Sequence, residues 1–201
     1  MTPDITLYFC KRTRAFVPRW LLEEIGIPYR TATVRLDRGE HKTAQFRQVN
    51  SMGKVPALTD GDGVVSETPA ICLLLADRYA PGTLAPAIED EDRGAYLRWM
   101  VFATAVFEPA IYLDEPQDEA SASGRGWGRR ADVLAAIETA LAAGPYLLGQ
   151  RFTAADVMLG GLLSIALFNH RIADPPASLI AYDRRLSARP AYRRAAQATW
   201  G

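Results

Sequence analysis

The stretch 52-MGKVPALTDGDGVVSETPAI-71 decides how this chain folds. "PALT" and "VVS", split by "DGDG" (Asp60 to Gly63), form the clearest hairpin signal in the sequence. Directly behind them, "TPAICLLLADRY" runs as an apolar helix from Thr68 to Tyr79, with Pro69 at its start. The odd residue is Pro56, at the mouth of the first hairpin strand. Proline removes a ladder donor and is kept out of central strands. On the residues alone it opens an edge strand in the ordinary trans form.

Upstream of the hairpin, "ITLYF" (Ile5 to Phe9) is short and β-rich, a buried strand. Phe16, Trp20, Leu21 and Ile25 then share one helix face. Pro18 fits only in a first turn, so that helix starts near Thr13 to Val17, and Gly26 stops it. "TATVRL" (Thr31 to Leu36) reads as a second strand, and "DRGEHKTAQFRQVN" (Asp37 to Asn50) as a polar loop with a short helix. The order is strand, helix, strand, irregular helix, hairpin, helix.

Downstream, "APGTLAP" (Ala80 to Pro86) is a proline-and-glycine break. Nothing after it alternates like a strand. Asp90 to Leu113, Arg129 to Ala143 and Ala154 to Phe168 read as helices, and "DEPQDEASASGRG" (Asp114 to Gly126) as a polar loop between two of them. "FTAAD" (Phe152 to Asp156) fits a capping box, with Thr153 as N-cap and Asp156 in place of the usual glutamate. The expected organisation is an α/β domain over 1–80, a linker over 81–86 and an all-helical domain over 87–201. The arginines 184, 185, 189, 193 and 194 read as a solvated helical face.

The 201 residues carry 23 basic and 23 acidic side chains, which argues against a dedicated nucleic-acid binder. Two cysteines are too few for a disulfide framework and suggest a reducing compartment. "MTPDITLYF" lacks the features of a leader peptide. The most apolar run, Val157 to Phe168, is too short to span a bilayer. The expectation is a soluble, cytoplasmic protein without a membrane span. No metal or nucleotide motif is present. Cys72 reads as an inert core thiol.

"LLEEIGIPYR", "GEHKTAQFRQVNSMGKVPAL", "SETPAI" and "FTAADVMLG", in this order and spacing, resemble the cytosolic glutathione S-transferase family, and a bacterial-type member of it. The resemblance covers nearly the whole chain. It implies a thioredoxin-like N-terminal domain followed by an all-helical C-terminal domain, with glutathione as co-substrate, no metal, and a homodimer. It also changes the reading of Pro56, which in such a fold follows a cis peptide bond. The bend frees the Val55 N–H and C=O to pair with the cysteinyl backbone of glutathione, as an added strand would.

Glutathione carries two carboxylates, an ammonium and a thiol, so its site needs donors at both ends and a group that stabilises the thiolate. The resemblance assigns Thr68, at a helix N-terminus, to the γ-glutamyl carboxylate and Glu67 to the ammonium. The residues alone are equally served by plain capping. His41 and Lys42, with Lys54, match positions that hold the glycyl carboxylate. For the thiolate, Thr13 offers a hydroxyl near the first helix start, and Cys10 stands three residues earlier. Neither matches a class of the family cleanly. Thr13 implies conjugation of glutathione to a small hydrophobic electrophile. Cys10 implies a glutathione-dependent thiol transferase or disulfide reductase, and a non-catalytic binder of the same fold is a third reading. Phe102, Phe107 and Tyr112 are the candidates to line the electrophile's pocket, which the family places between its domains.

Overall fold

The computed structural model describes residues 3–201. The elements run β1 (Ile5–Phe9), α1 (Phe16–Ile25), β2 (Arg30–Thr33), α2 (Ala44–Val49), β3 (Ala57–Asp60), β4 (Gly63–Ser66) and α3 (Thr68–Tyr79). After these come α4 (Arg93–Phe102), α5 (Glu108–Tyr112), α6 (Glu119–Ser123), α7 (Arg130–Ala142), α8 (Ala154–Phe168), α9 (Ala177–Ser187) and α10 (Pro190–Trp200). The fold is a thioredoxin-like α/β domain followed by helices, as expected.

The sheet order is β2-β1-β3-β4, with β1–β2 parallel and the other two pairings antiparallel. Ile5, Leu7 and Phe9 of β1 alternate into the core, with Phe16, Trp20, Leu21 and Leu22 of α1 and Ile71, Leu75 and Ala76 of α3 buried beside the same sheet. On the other face, the Tyr8 ring meets Phe46 of α2 edge-on at 5.9 Å. The hairpin closes on Gly61–Asp62, and Gly61 takes the positive φ that such a tight turn requires. Gly26 ends α1 in the left-handed conformation, its N–H on the Leu22 carbonyl. The second strand is shorter than the sequence suggests. It stops at Thr33, and two 3-10 turns follow at Leu36–Arg38 and Glu40–Lys42.

The chain divides into two compact units, one of 1–80 with 189–201 and one of 81–188. The last helix therefore groups with the sheet, not with the helices before it. Its Tyr192 ring lies 5.1 Å from Phe16 and 5.0 Å from Trp20, and Trp200 lies 5.8 Å from Phe16. Two of the arginines read as solvated are instead paired with α1: Arg189, just before this helix, and Arg194 within it. Arg189 grips Glu24 of α1 through two bonds of 2.6 and 2.8 Å, and Arg194 pairs with Glu23 at 2.7 Å. The 81–86 stretch falls in the second unit, folded on itself by a 2.7 Å bond from Gly82 N–H to the Ala85 carbonyl.

In the second unit the expected long helix is interrupted. Between α4 and α5, Ala103–Phe107 forms a wider π turn. Pro109, just beyond it, has no N–H to give the Ala105 carbonyl one turn back, which favours local rewinding. The expected polar loop also contains the short α6, capped by Asp118 accepting from Ser121 N–H at 2.7 Å. The α8 capping box is complete, and Cys72 is fully buried, its thiol pKa pushed up by desolvation. No helix among the described residues is long and apolar enough to cross a membrane.

Candidate functional site

The strand register gathers the candidate residues. Tyr8, near the end of β1, is opposite Ala57 at the start of β3, and Ala57 is opposite Ser66 at the end of β4. Cys10, Pro56 and Glu67 each stand one or two residues beyond these partners, so all three leave the sheet at one end. β2 runs parallel to β1 and ends at Thr33 beside Phe9, which sends the His41–Lys42 segment off the same end. Four separate sequence motifs thus converge by topology alone.

The peptide bond Val55–Pro56 is cis. Among the described residues, no hydrogen bond engages the Val55 N–H or C=O. The loop before it is clamped by Asn50, which is buried. Its side chain donates to the Lys54 carbonyl at 2.9 Å and accepts from Met52 N–H at 3.0 Å. Sequence reasoning missed Asn50. The signal was a polar residue four positions before "KVP", too common to single out.

Glycine is required at position 53. Its φ is +60°, and an added Cβ would stand 2.4 Å from the His41 carbonyl oxygen. That close approach brings "GEHK" onto the "MGKVP" loop, where Lys42 Nζ reaches the Met52 and Gly53 carbonyls at 3.4 and 3.3 Å. His41 is half-buried, and its Nδ1 is buried without a hydrogen-bond partner. Lys54 is exposed.

At the start of α3, Glu67 adopts φ +68°, ψ +121°, a backbone that a non-glycine residue rarely takes. Among the described residues, no side chain caps this helix. Its first N–H groups, Thr68 and Ala70, lack a carbonyl one turn back, and Pro69 has no N–H. Thr68 is buried and Glu67 exposed. Backbone strain of this kind persists where the surroundings over-determine it, and it clusters at functional sites.

Thr13 is half-buried, and its hydroxyl is engaged locally. It donates to the Cys10 carbonyl at 2.7 Å and accepts from Ala15 N–H at 3.3 Å. Cys10 is a free thiol, half-buried at the end of β1. In the helical unit, Phe107 is fully buried and Phe102 nearly so, stacked edge-on against Trp99 at 4.9 Å. Tyr112 is the exposed one of the three, under the Arg171 guanidinium at 5.4 Å.

Residues 3–77 match the family model for the glutathione S-transferase N-terminal domain, and residues 117–195 match that for the C-terminal domain. Mouse glutathione S-transferase theta-2 is 31% identical over 181 residues, 81% of this chain and 72% of that protein. The chain belongs to the glutathione S-transferase family. Among solved structures, a sphingomonad glutathione S-transferase complexed with glutathione is 31% identical, with a TM-score of 0.76 over 97% of this chain and 98% of that one. A glutathione transferase from Methylococcus capsulatus is 29% identical, with a TM-score of 0.79 over 98% of each. Both are bacterial, and both share the two-part glutathione S-transferase fold.

Proposed function

We propose that this glutathione S-transferase binds glutathione at the converged end of its sheet and conjugates the thiolate to a small hydrophobic electrophile. One observation carries the reading: the cis Val55–Pro56 bond with the Val55 N–H and C=O left unpaired beside an uncapped helix start. The Val55 groups suit the cysteinyl backbone of the tripeptide. The Thr68 and Ala70 N–H groups suit the γ-glutamyl carboxylate, and Glu67 its ammonium. His41, Lys42 and Lys54 supply donors for the glycyl carboxylate. The known binding of glutathione by the sphingomonad relative supports the same ligand here.

A free thiol has a pKa of about 8.5, so the site must favour the thiolate at neutral pH. Thr13 is assigned to this task. Its hydroxyl proton, now on the Cys10 carbonyl, would turn to the sulfur when glutathione is bound. Because that rotation exchanges one hydrogen bond for another, Thr13→Ala should lower turnover with an aryl halide by roughly ten-fold, with glutathione affinity within about two-fold. Unchanged turnover would remove Thr13 from the mechanism. Tyr112, as the exposed aromatic, is the first candidate to meet the electrophile, ahead of Phe102 and Phe107.

The accessible thiol of Cys10 supports a second reading. Its thiolate would attack glutathione disulfide, form a mixed disulfide and expel one glutathione thiolate. Mass spectrometry after glutathione disulfide treatment should then find the adduct on Cys10. A homodimer is also part of the proposal, with Leu97 and Val101 forming an exposed apolar pair one turn apart on α4. Sedimentation tests it.

A further inference from the structure

The loop that carries Cys10 and Thr13 is held from outside by α10. Arg12 N–H donates to the Thr199 carbonyl at 3.2 Å, and Lys11 Nζ donates to the Gly201 carbonyl oxygen at 2.8 Å. Helix ends leave their last carbonyls without intrahelical partners, and cations favour that end of the helix dipole. The loop therefore supplies what the last turn of α10 lacks. Thr199 itself is fully buried, with its hydroxyl on the Ala195 carbonyl at 2.7 Å.

Arg12 is the strained residue of this loop, at φ +58°. A non-glycine residue in that conformation costs about 1–2 kcal/mol and persists only where its surroundings fix it. The bond to Thr199 is made by the N–H of this same residue. α10 is in turn fixed to α1 along its length. Arg189 and the Trp20 indole N–H both bind Glu24, Arg194 binds the Glu23 side chain and carbonyl, and the Tyr192 and Trp200 rings pack on Phe16. α1 and α10 thus form one clasped pair within the sheet-bearing unit, and the loop is pinned at the far end of the clasp.

We propose that α10 is the positioning element of the thiol-activating loop: the Thr199 carbonyl, through Arg12 N–H, sets where Cys10 and Thr13 stand relative to the Val55 backbone. This rests on the transferase reading of the site. Thr199 touches no substrate and acts only through the loop. A displacement of about 1 Å in an activating group is enough to lose up to about a hundred-fold in rate.

The test compares two variants with the full chain. Ending the chain at Ala198 removes both acceptor carbonyls and the Trp200 ring, whereas Trp200→Ala removes the ring alone. For the shortened chain, kcat with an aryl halide at pH 6.5 should fall at least about ten-fold, with KM for glutathione within about two-fold. The acid limb of its kcat/KM profile should move alkaline by about one pH unit, and Trp200→Ala should keep the limb of the full chain. A shortened chain with the original limb and kcat would overturn the proposal. Amide exchange on the full chain needs no variant at all. Arg12 N–H should exchange at least about a hundred-fold slower than an unprotected amide, and exchange at the free rate would also overturn the clasp. A full chain that does not turn over glutathione would end the transferase reading, while the Arg12 exchange rate would still decide the clasp.

Discussion

At the start of α8, Thr153 takes an extended backbone and closes a capping box with Asp156, whereas at the start of α3, Glu67 takes a left-handed φ and no side chain among the described residues caps the helix. In the sequence both are a threonine and an acid beside an apolar helix. Asp156 accepts from Leu147 N–H at 2.9 Å, Thr153 N–H at 2.8 Å and the Tyr182 hydroxyl at 2.8 Å, all fully enclosed. Its acceptor oxygens are taken up by donors of the protein itself. At α3 the acid faces solvent, and among the described residues the Thr68 and Ala70 N–H groups meet no backbone acceptor. The difference separates a helix start closed by its own side chains from one left uncapped behind a strained Glu67 backbone.

Breaking the closed start should have the largest effect. Asp156→Ala leaves two backbone N–H groups and the Tyr182 hydroxyl buried without an acceptor, so unfolding free energy should fall by about 3–5 kcal/mol. Urea denaturation measures it, and glutathione affinity of the folded fraction should stay unchanged. A loss below about 1 kcal/mol would show that α8 does not depend on the box.

The same carboxylate sets a pH signature. Desolvation raises its pKa from 3.8 to about 6, outweighing the bonds from Leu147, Thr153 and Tyr182, which lower it. A carboxyl whose folded pKa is raised gives stability that is fully present below pH 3.8 and is lost as pH rises through about 6. This group alone should therefore make the fold less stable at pH 7 than at pH 4, by about 2 kcal/mol. Comparing wild type with Asp156→Asn across that window isolates it, because asparagine does not titrate.

At the open start, Glu67→Gly should separate stability from binding. Glycine accepts the left-handed backbone, so stability should hold or rise by about 1 kcal/mol. Loss of the carboxylate should weaken glutathione by roughly ten-fold, read by calorimetric titration. A fall in stability with affinity intact would make the strain structural, and the contrast between the two helix starts would collapse. Thr153→Ala should give the smallest change, about 1 kcal/mol of stability with no change in binding.

Much of this was readable in the chain because it is encoded locally. β1, the hairpin and α3 follow from alternation, turn residues and a proline at a helix start, and the Thr153 box follows from residue spacing. The cis bond at Pro56 needed the surrounding pattern, since a bare Val-Pro pair fits a trans edge strand equally well. What escaped depends on partners far apart in sequence. Arg189 and Arg194 look like surface charges until α10 meets Glu23 and Glu24, more than 160 residues earlier in the chain. The π turn at Ala103–Phe107 hides inside an unbroken apolar pattern, and neither the strain at Glu67 nor the engaged hydroxyl of Thr13 is written in residue type.

The most direct test of the site is a pH titration of glutathione bound to the protein, following thiolate absorbance. The account predicts a bound thiol pKa well below its free value of about 8.5. A bound thiol that titrates at its free value, or glutathione that does not bind, would contradict it.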